Sequence, residues 1–256
     1  MSDGGPMLPN FLIIGAARTG TTSLYQNLQS HPEIYLPKSK RPEPHFFFRE
    51  ASFAKGMDWY ERTYFDAWAG EKAVGEASTS YFFGEETPTR IAESLPRCRF
   101  ILMLRDPVQR AFSNYWHSVK AGLETLSFAE AIEAEDERTA ALKGTDMGET
   151  RPFSYLARSR YGEQMARWLS VFDPEHFCVL LFDDYVRDTA SCLRQIAHFL
   201  GVAEDGFAVA NRFAENRSTP EEAMLDPELE ARLRSYFAKD ILTLQKQLGR
   251  DFSGWL

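Results

Sequence analysis

Nine consecutive residues near the start of the chain carry more hydrogen-bonding chemistry than an ordinary turn needs. Gly15-Ala16-Ala17-Arg18-Thr19-Gly20-Thr21-Thr22-Ser23 holds four hydroxyls, a guanidinium and two glycines. Gly15 and Gly20 allow close backbone approach to a ligand. A helix starting in this run adds free N–H groups and the positive end of its dipole. With the hydroxyls of Thr19, Thr21, Thr22 and Ser23, that is chemistry for a phosphate or a sulfate. A tight turn with a threonine cap would account for a lone Gly-x-x-x-x-Gly. It does not account for the density of hydroxyls or for Arg18 inside the loop.

A second basic element starts at Arg105. Asp106-Pro107 opens a helical pattern, and Ser113 falls about two turns into it. An arginine at a strand end and a serine two turns later can grip one phosphate. A third segment, Arg41-Pro42-Glu43-Pro44-His45-Phe46-Phe47, supplies a carboxylate and an imidazole. A carboxylate within hydrogen-bond reach of an acceptor O–H or N–H can take its proton. In an extended segment His45 points to the same side as Glu43, to orient an acceptor or to act as an alternative base. By residue type alone, Glu43 is equally a loop charge and His45 a rim residue.

The elements that must position these groups read as alternating strands and helices. Asn10–Gly15, Lys72–Glu76, Arg99–Leu104 and His176–Phe182 are short apolar runs suited to buried parallel strands. Helices are expected over Thr21–Ser30, Pro88–Leu95 with Thr87 as cap, Pro107 to about Lys120, Ser127–Glu137, Tyr155–Phe172, Thr189–Leu200 and Pro220–Leu248. Residues 139–153 read as an exposed loop and 203–220 as irregular. The expectation is a single α/β domain over 1–256, with a central parallel sheet flanked by helices and a flexible lead-in over 1–9.

Composition narrows the partners. The chain has 256 residues, 44% hydrophobic, and a net charge of −8, which disfavours a non-specific nucleic-acid binder. Cys98, Cys178 and Cys192 are far apart with no Cys-x-x-Cys pair, and the five histidines show no i, i+4 ligand spacing, so no metal site is expected. No apolar run approaches a membrane span, and the N-terminus reads as polar. A soluble protein of a reducing, cytoplasmic compartment is expected, with a homodimer left open.

The first loop keeps the glycine spacing of the nucleotide-triphosphate motif GxxxxGK[ST], but Thr21 stands where its lysine belongs and the positive charge sits at Arg18. A magnesium-dependent triphosphate site is therefore disfavoured. The loop instead resembles the 5′-phosphosulfate loop of the sulfotransferases that use 3′-phosphoadenosine-5′-phosphosulfate (PAPS). It is most like the branch holding the heparan sulfate enzymes and their bacterial relatives, with Arg18 in place of the usual lysine. Arg105-Asp106-Pro107…Arg110…Ser113…Tyr115 matches the family's 3′-phosphate pattern R-[DN]-P-x-x-R-x-x-S-x-Y at every place.

This resemblance implies a P-loop-like sulfotransferase fold and PAPS as donor, with adenosine 3′,5′-bisphosphate as product and no metal. It implies donor contacts at Arg18, Thr19, Gly20, Thr21, Thr22, Ser23, Arg105 and Ser113, and more weakly at Tyr161 and Arg217. The segment at Arg41 resembles the family's K-E-x-H-F-F, which implies Glu43 as base beside His45. Glu76-Ala77-Ser78 resembles the segment E-K-[ST], which implies Glu76 and Ser78 in the acceptor pocket. Ala77 replaces a lysine that holds polyanionic chains, so a neutral sugar, glycolipid or small metabolite is the expected acceptor. The alternatives are an ATP-dependent small-molecule kinase and a non-catalytic nucleotide-binding protein.

Overall fold

The computed structural model describes residues 7–38, 43–142, 152–209, 219–220 and 223–256. Most of the expected lead-in over 1–9, much of the loop over 139–153 and much of the irregular stretch over 203–220 lie outside the described residues. Among the described residues are five strands: β1 (Phe11–Gly15), β2 (Ile34–Tyr35), β3 (Ala73–Ala77), β4 (Arg99–Leu104) and β5 (Phe177–Leu181). The helices are α1 (Thr21–Gln29), α2 (Glu50–Phe53), α3 (Met57–Tyr64), α4 (Thr87–Ser94), α5 (Pro107–Lys120), α6 (Phe128–Glu133), α7 (Glu135–Ala141), α8 (Tyr161–Leu169), α9 (Phe182–Arg187), α10 (Thr189–Leu200) and α11 (Pro227–Leu248). Within this α/β fold the chain divides into two compact units, residues 1–104 with 167–213 and residues 105–166 with 214–256.

The first unit holds the sheet, in the order β2-β3-β1-β4-β5 with every pair parallel. Phe11 sits opposite Gly75 on one side and Arg99 on the other. Both faces are covered, which is why these strands read as unbroken apolar runs rather than alternating ones. Phe11, Ile13 and Ile101 pack with Leu24 and Leu28 of α1 and Leu193 and Ile196 of α10. Phe100 points the opposite way and meets Trp168 and Phe172 edge-on at 4.9 and 4.7 Å. Burying each such side chain contributes about 1.5–3 kcal/mol. α4 starts at Thr87 itself, with no side-chain cap. Thr87 cannot serve as the expected cap because it is buried and helical.

The second unit is helical and built around α5. Asp106 caps it, accepting from Val108 N (2.9 Å) and Gln109 N (3.0 Å), with Pro107 in the first turn where no N–H is needed. Arg110 is fully buried and donates to Ser159 Oγ (2.6 Å), Asn114 Oδ1 (3.3 Å) and the Tyr155 carbonyl. Glu135 accepts from the N–H groups of Leu156 and Ala157. These bonds commit the backbone of 155–157 to side chains of α5 and α7, and only a 3-10 turn forms at Ala157–Ser159. The helix expected from Tyr155 therefore begins only at Tyr161. There Asp240 of α11 accepts from Gly162 N and Glu163 N, both at 2.9 Å. The expected Ser127–Glu137 helix is split at Ala134, after a capping box between Ser127 and Glu130. The final helix starts at Pro227, capped by Asp226, rather than at 220.

Candidate active site

β1 delivers the chain into the hydroxyl-rich loop, and Ala16 N donates to the Met103 carbonyl of β4 (2.8 Å). Gly15 has φ 148°, and a Cβ there would meet Phe82 Cβ at 3.1 Å. Gly20 has φ 85° and is the N-cap of α1, and a Cβ there would press on the Phe182 ring at 3.0 Å. Only glycine fits such positions. No side chain caps α1. The N–H groups of its first turn, Thr21, Thr22 and Ser23, have no intrahelical acceptor and leave a positive dipole end. Thr19 is fully buried and donates to the Ala16 carbonyl (2.7 Å), and Ser23 is buried beside Tyr185. The Thr19 hydroxyl holds the loop in shape, while Thr21 and Thr22 line an adjoining cavity.

That cavity, about 390 Å³, is lined by Thr21, Thr22, Gln26 and Gln29 of α1 on one side and by Pro37, Lys38 and Glu43 on another, with Tyr25 and Ala77 completing it. The candidate base and the first turn of α1 thus face one space. Glu43 Oε2 accepts from Thr79 N (3.1 Å) and Thr79 Oγ1 (2.8 Å), and His45 Nε2 lies 3.5 Å away. His45 is brought there by a route the sequence does not suggest. Its φ is 52°, so the segment turns rather than extends. The ring is fixed by Ser80 Oγ on Nδ1 (2.7 Å), and the backbone N–H of His45 donates to Ser78 Oγ (2.8 Å). Among the described residues, Arg18 (φ 71°) and His45 are the two non-glycine residues at positive φ. Backbone held in this region costs on the order of 1–3 kcal/mol and concentrates at functional sites.

Glu76 and Ser78 take a different place from the acceptor wall expected of them. Both are fully buried, and Ala77 between them lines the cavity. Glu76 accepts from Tyr60 (3.0 Å) and Tyr81 (2.6 Å) on Oε1 and from Ser78 (2.9 Å) on Oε2. Burial pushes its carboxyl up to about 7, against the pull of those three hydroxyls, and the Glu43 charge adds to the rise. Ser78 both donates to Glu76 and receives the His45 N–H, so a buried carboxylate braces the loop that carries the base.

Arg105, half-buried, immediately follows β4, and Ser113 lies buried two turns along α5. The N-terminus of α5 between them is already closed by Asp106, whose Oδ2 also meets Arg234 Nη1 at 3.2 Å. Tyr161 is buried in the second unit, where desolvation pushes its phenol well above the usual range. Arg41 and Arg217 lie outside the described residues. Among the described residues no cluster of three or more His, Cys, Asp or Glu that could hold a metal is assembled, and no helix is long and apolar enough to cross a membrane.

A strand, an uncapped hydroxyl-rich loop and a carboxylate on the same cavity agree with a family model described as a sulfotransferase domain, which matches residues 8–219. This chain belongs to the sulfotransferase family. It is 32% identical over 203 residues to the human bifunctional heparan sulfate N-deacetylase/N-sulfotransferase 3, covering 76% of this chain and 22% of that protein. It is 28% identical over 276 residues to the human heparan sulfate glucosamine 3-O-sulfotransferase 3A1, covering 100% of this chain and 64% of that protein. The chain thus spans about a fifth of the first relative and under two thirds of the second. Among solved structures, a sulfotransferase from Alicyclobacillus acidocaldarius superposes with a TM-score of 0.82 at 35% identity, covering 97% of this chain and 99% of the other.

The cavity wall formed by Gln26, Gln29 and Lys38 was not legible as a site in the sequence. The available signal was the spacing Thr22, Gln26, Gln29, which puts three polar side chains on the outward stripe of a helix whose Leu24 and Leu28 face the core.

Proposed function

We propose that this sulfotransferase-family chain moves a sulfuryl group from PAPS to an acceptor hydroxyl or amine on a carbohydrate, glycolipid or small metabolite. The observation that carries this reading is that Glu43 and the uncapped first turn of α1 line the same cavity. The residues present suit the donor. Free N–H groups, two obligatory glycines and Arg18 match a 5′-phosphosulfate, and Arg105 with Ser113 offers a second set of donors for a 3′-phosphate. The donor brings an activated S–O bond to the 5′-phosphate oxygen.

In this reading Glu43 takes the acceptor proton as the new S–O bond forms and the bond to the 5′-phosphate oxygen breaks. Thr79 holds the carboxylate in place from two sides. Arg18 and the α1 N–H groups stabilise the charge that develops on the leaving oxygen of adenosine 3′,5′-bisphosphate. An arginine keeps its proton at any working pH, so Arg18 acts by charge and hydrogen bonding rather than as a proton donor. No step requires a metal ion. A reducing, cytoplasmic setting belongs to the same proposal and is supported by three buried free thiols.

The test is transfer of labelled sulfate from PAPS to acceptors in a lysate, comparing the wild-type chain with Glu43→Gln. Turnover is expected to fall about 10²–10⁴-fold in the variant, with binding of adenosine 3′,5′-bisphosphate retained. Full activity in Glu43→Gln would remove Glu43 as base. Magnesium-dependent phosphoryl transfer from ATP would replace the reading with that of a kinase.

A further inference from the structure

The wall of the cavity opposite Glu43 specifies more about the acceptor than its reactive group. Thr22, Gln26 and Gln29 stand at i, i+4 and i+7 on α1, on the stripe turned away from the core residues Leu24 and Leu28. Seven residues of helix span about 10 Å, so the stripe runs well beyond the reacting group. The stripe begins in the same first turn that is proposed to face the donor.

The opposite wall is fixed. Tyr25, buried on α1, donates its hydroxyl to the Pro37 carbonyl, tying the helix to the segment that carries Lys38 and leads towards Glu43. Neither the Gln26 nor the Gln29 side chain is hydrogen-bonded to a described residue. Their amides line a pre-formed cavity, each with two donors and an acceptor oxygen available.

Charge argues for the class of ligand. Among the described lining residues there is one cation, Lys38, and one carboxylate, Glu43. A polysulfated chain would be held by arginine and lysine forks rather than by neutral amides. It would also meet the Glu43 carboxylate and a chain of net charge −8. A sugar hydroxyl is donor and acceptor at once, and so is a glutamine amide. About 390 Å³ falls in the range of small-ligand pockets, about 300–1,000 Å³.

We propose that Gln26 and Gln29 are specificity-determining residues that read an uncharged polyhydroxylated acceptor through the hydroxyls next to the one that reacts. This rests on the sulfuryl-transfer reading above and goes beyond it by naming the acceptor class and the side chains that select it.

The experiment uses the full chain with PAPS, a panel of neutral di- and trisaccharides and alkyl glycosides, and a polysulfated heparan chain. It compares wild type, Gln26→Ala, Gln29→Ala and the double variant. Neutral glycosides are expected to accept sulfate in preference to the polysulfated chain. Each single variant should raise KM for the best neutral acceptor about threefold to tenfold, the loss of about one neutral hydrogen bond, with kcat and bisphosphate affinity held. The changes should compound in the double variant. Both side chains are on the outer face of α1, so the variants are expected to fold, and retained bisphosphate binding verifies it. An unchanged KM in the double variant, a preference for the polysulfated chain, or no transfer to any neutral glycoside with bisphosphate binding intact overturns the proposal. Absence of both bisphosphate binding and PAPS turnover in the wild type overturns the sulfuryl-transfer reading beneath it.

Discussion

α1 and α5 each follow a parallel strand, and their first turns are finished in opposite ways. α1 has a glycine at its N-cap and no side-chain cap. α5 has Asp106, which accepts from Val108 N and Gln109 N and also meets Arg234. The open terminus offers backbone N–H groups and dipole charge to a ligand, while the closed one has satisfied its own donors with a carboxylate. Both elements read as anion sites in the sequence, but only the first is a backbone site. At the second, the proposed 3′-phosphate would have to be held by side chains, Arg105 before the cap and Ser113 two turns into the helix. The open terminus suits an oxygen whose charge grows during reaction, because rigid backbone donors need no reorganisation as that happens. The closed terminus suits steady recognition.

This contrast is most exposed to test at Arg18. In Arg18→Ala the open loop keeps its N–H groups but loses its guanidinium. Turnover should fall by about 10²–10³, with bisphosphate affinity falling far less, because the contact is strongest in the transition state. Equal losses in turnover and affinity would make Arg18 a binding residue only.

Asp106→Ala opens the closed terminus. It should lower unfolding stability by about 0.5–2 kcal/mol from the lost cap, measured by urea denaturation. Stability equal to wild type would show that Asp106 does not close α5 in solution.

A further test concerns the buried brace behind Glu43. Glu76 titrates near 7 in the folded chain against an ordinary value of 4.5. Between those values the folded state holds a proton that the unfolded state has lost. For this group, stability is therefore highest below the ordinary carboxylate value and falls as pH rises towards 7. Glu76→Gln should flatten that part of the pH dependence of the melting temperature. A slope identical to wild type would mean that Glu76 is already ionised in the folded chain.

The strands and the hydroxyl-rich loop were legible because their chemistry is local. β1, β3, β4 and β5 are short apolar runs, and the loop announces itself through glycine spacing and hydroxyl density. What escaped is what tertiary contacts decide. β2 is two residues long and exists only by pairing with β3. α2 is a single turn, α3 shows Met57, Tyr60 and Tyr64 in helical period over only two turns, and α9 follows β5 with no turn residue between them. Tyr155 looked helical until its carbonyl was taken by buried Arg110, which by residue type alone reads as a solvated surface charge. At the site, Glu43 and His45 were legible as a pair, but the bend at His45 and the two bonds from Thr79 were not. Strand alternation alone does not say which face of β3 meets the cavity, so Glu76 read equally as a pocket residue and as a buried strand end. Two tyrosines and a serine now account for its burial.

The proposed donor carries two phosphates, and the proposal gives its 3′-phosphate to the side chains of Arg105 and Ser113. Calorimetric titration with adenosine 3′,5′-bisphosphate, adenosine 5′-phosphate and Mg-ATP, on wild type and Arg105→Ala, tests it most directly. The account predicts metal-independent binding of the bisphosphate, markedly weaker binding of the 5′-phosphate, and no preference for ATP. In Arg105→Ala the bisphosphate should weaken about tenfold to a hundredfold, the worth of a charged hydrogen bond, while the 5′-phosphate is unaffected. Equal affinity for the two adenosine phosphates in the wild type, or tighter binding of Mg-ATP, would contradict it.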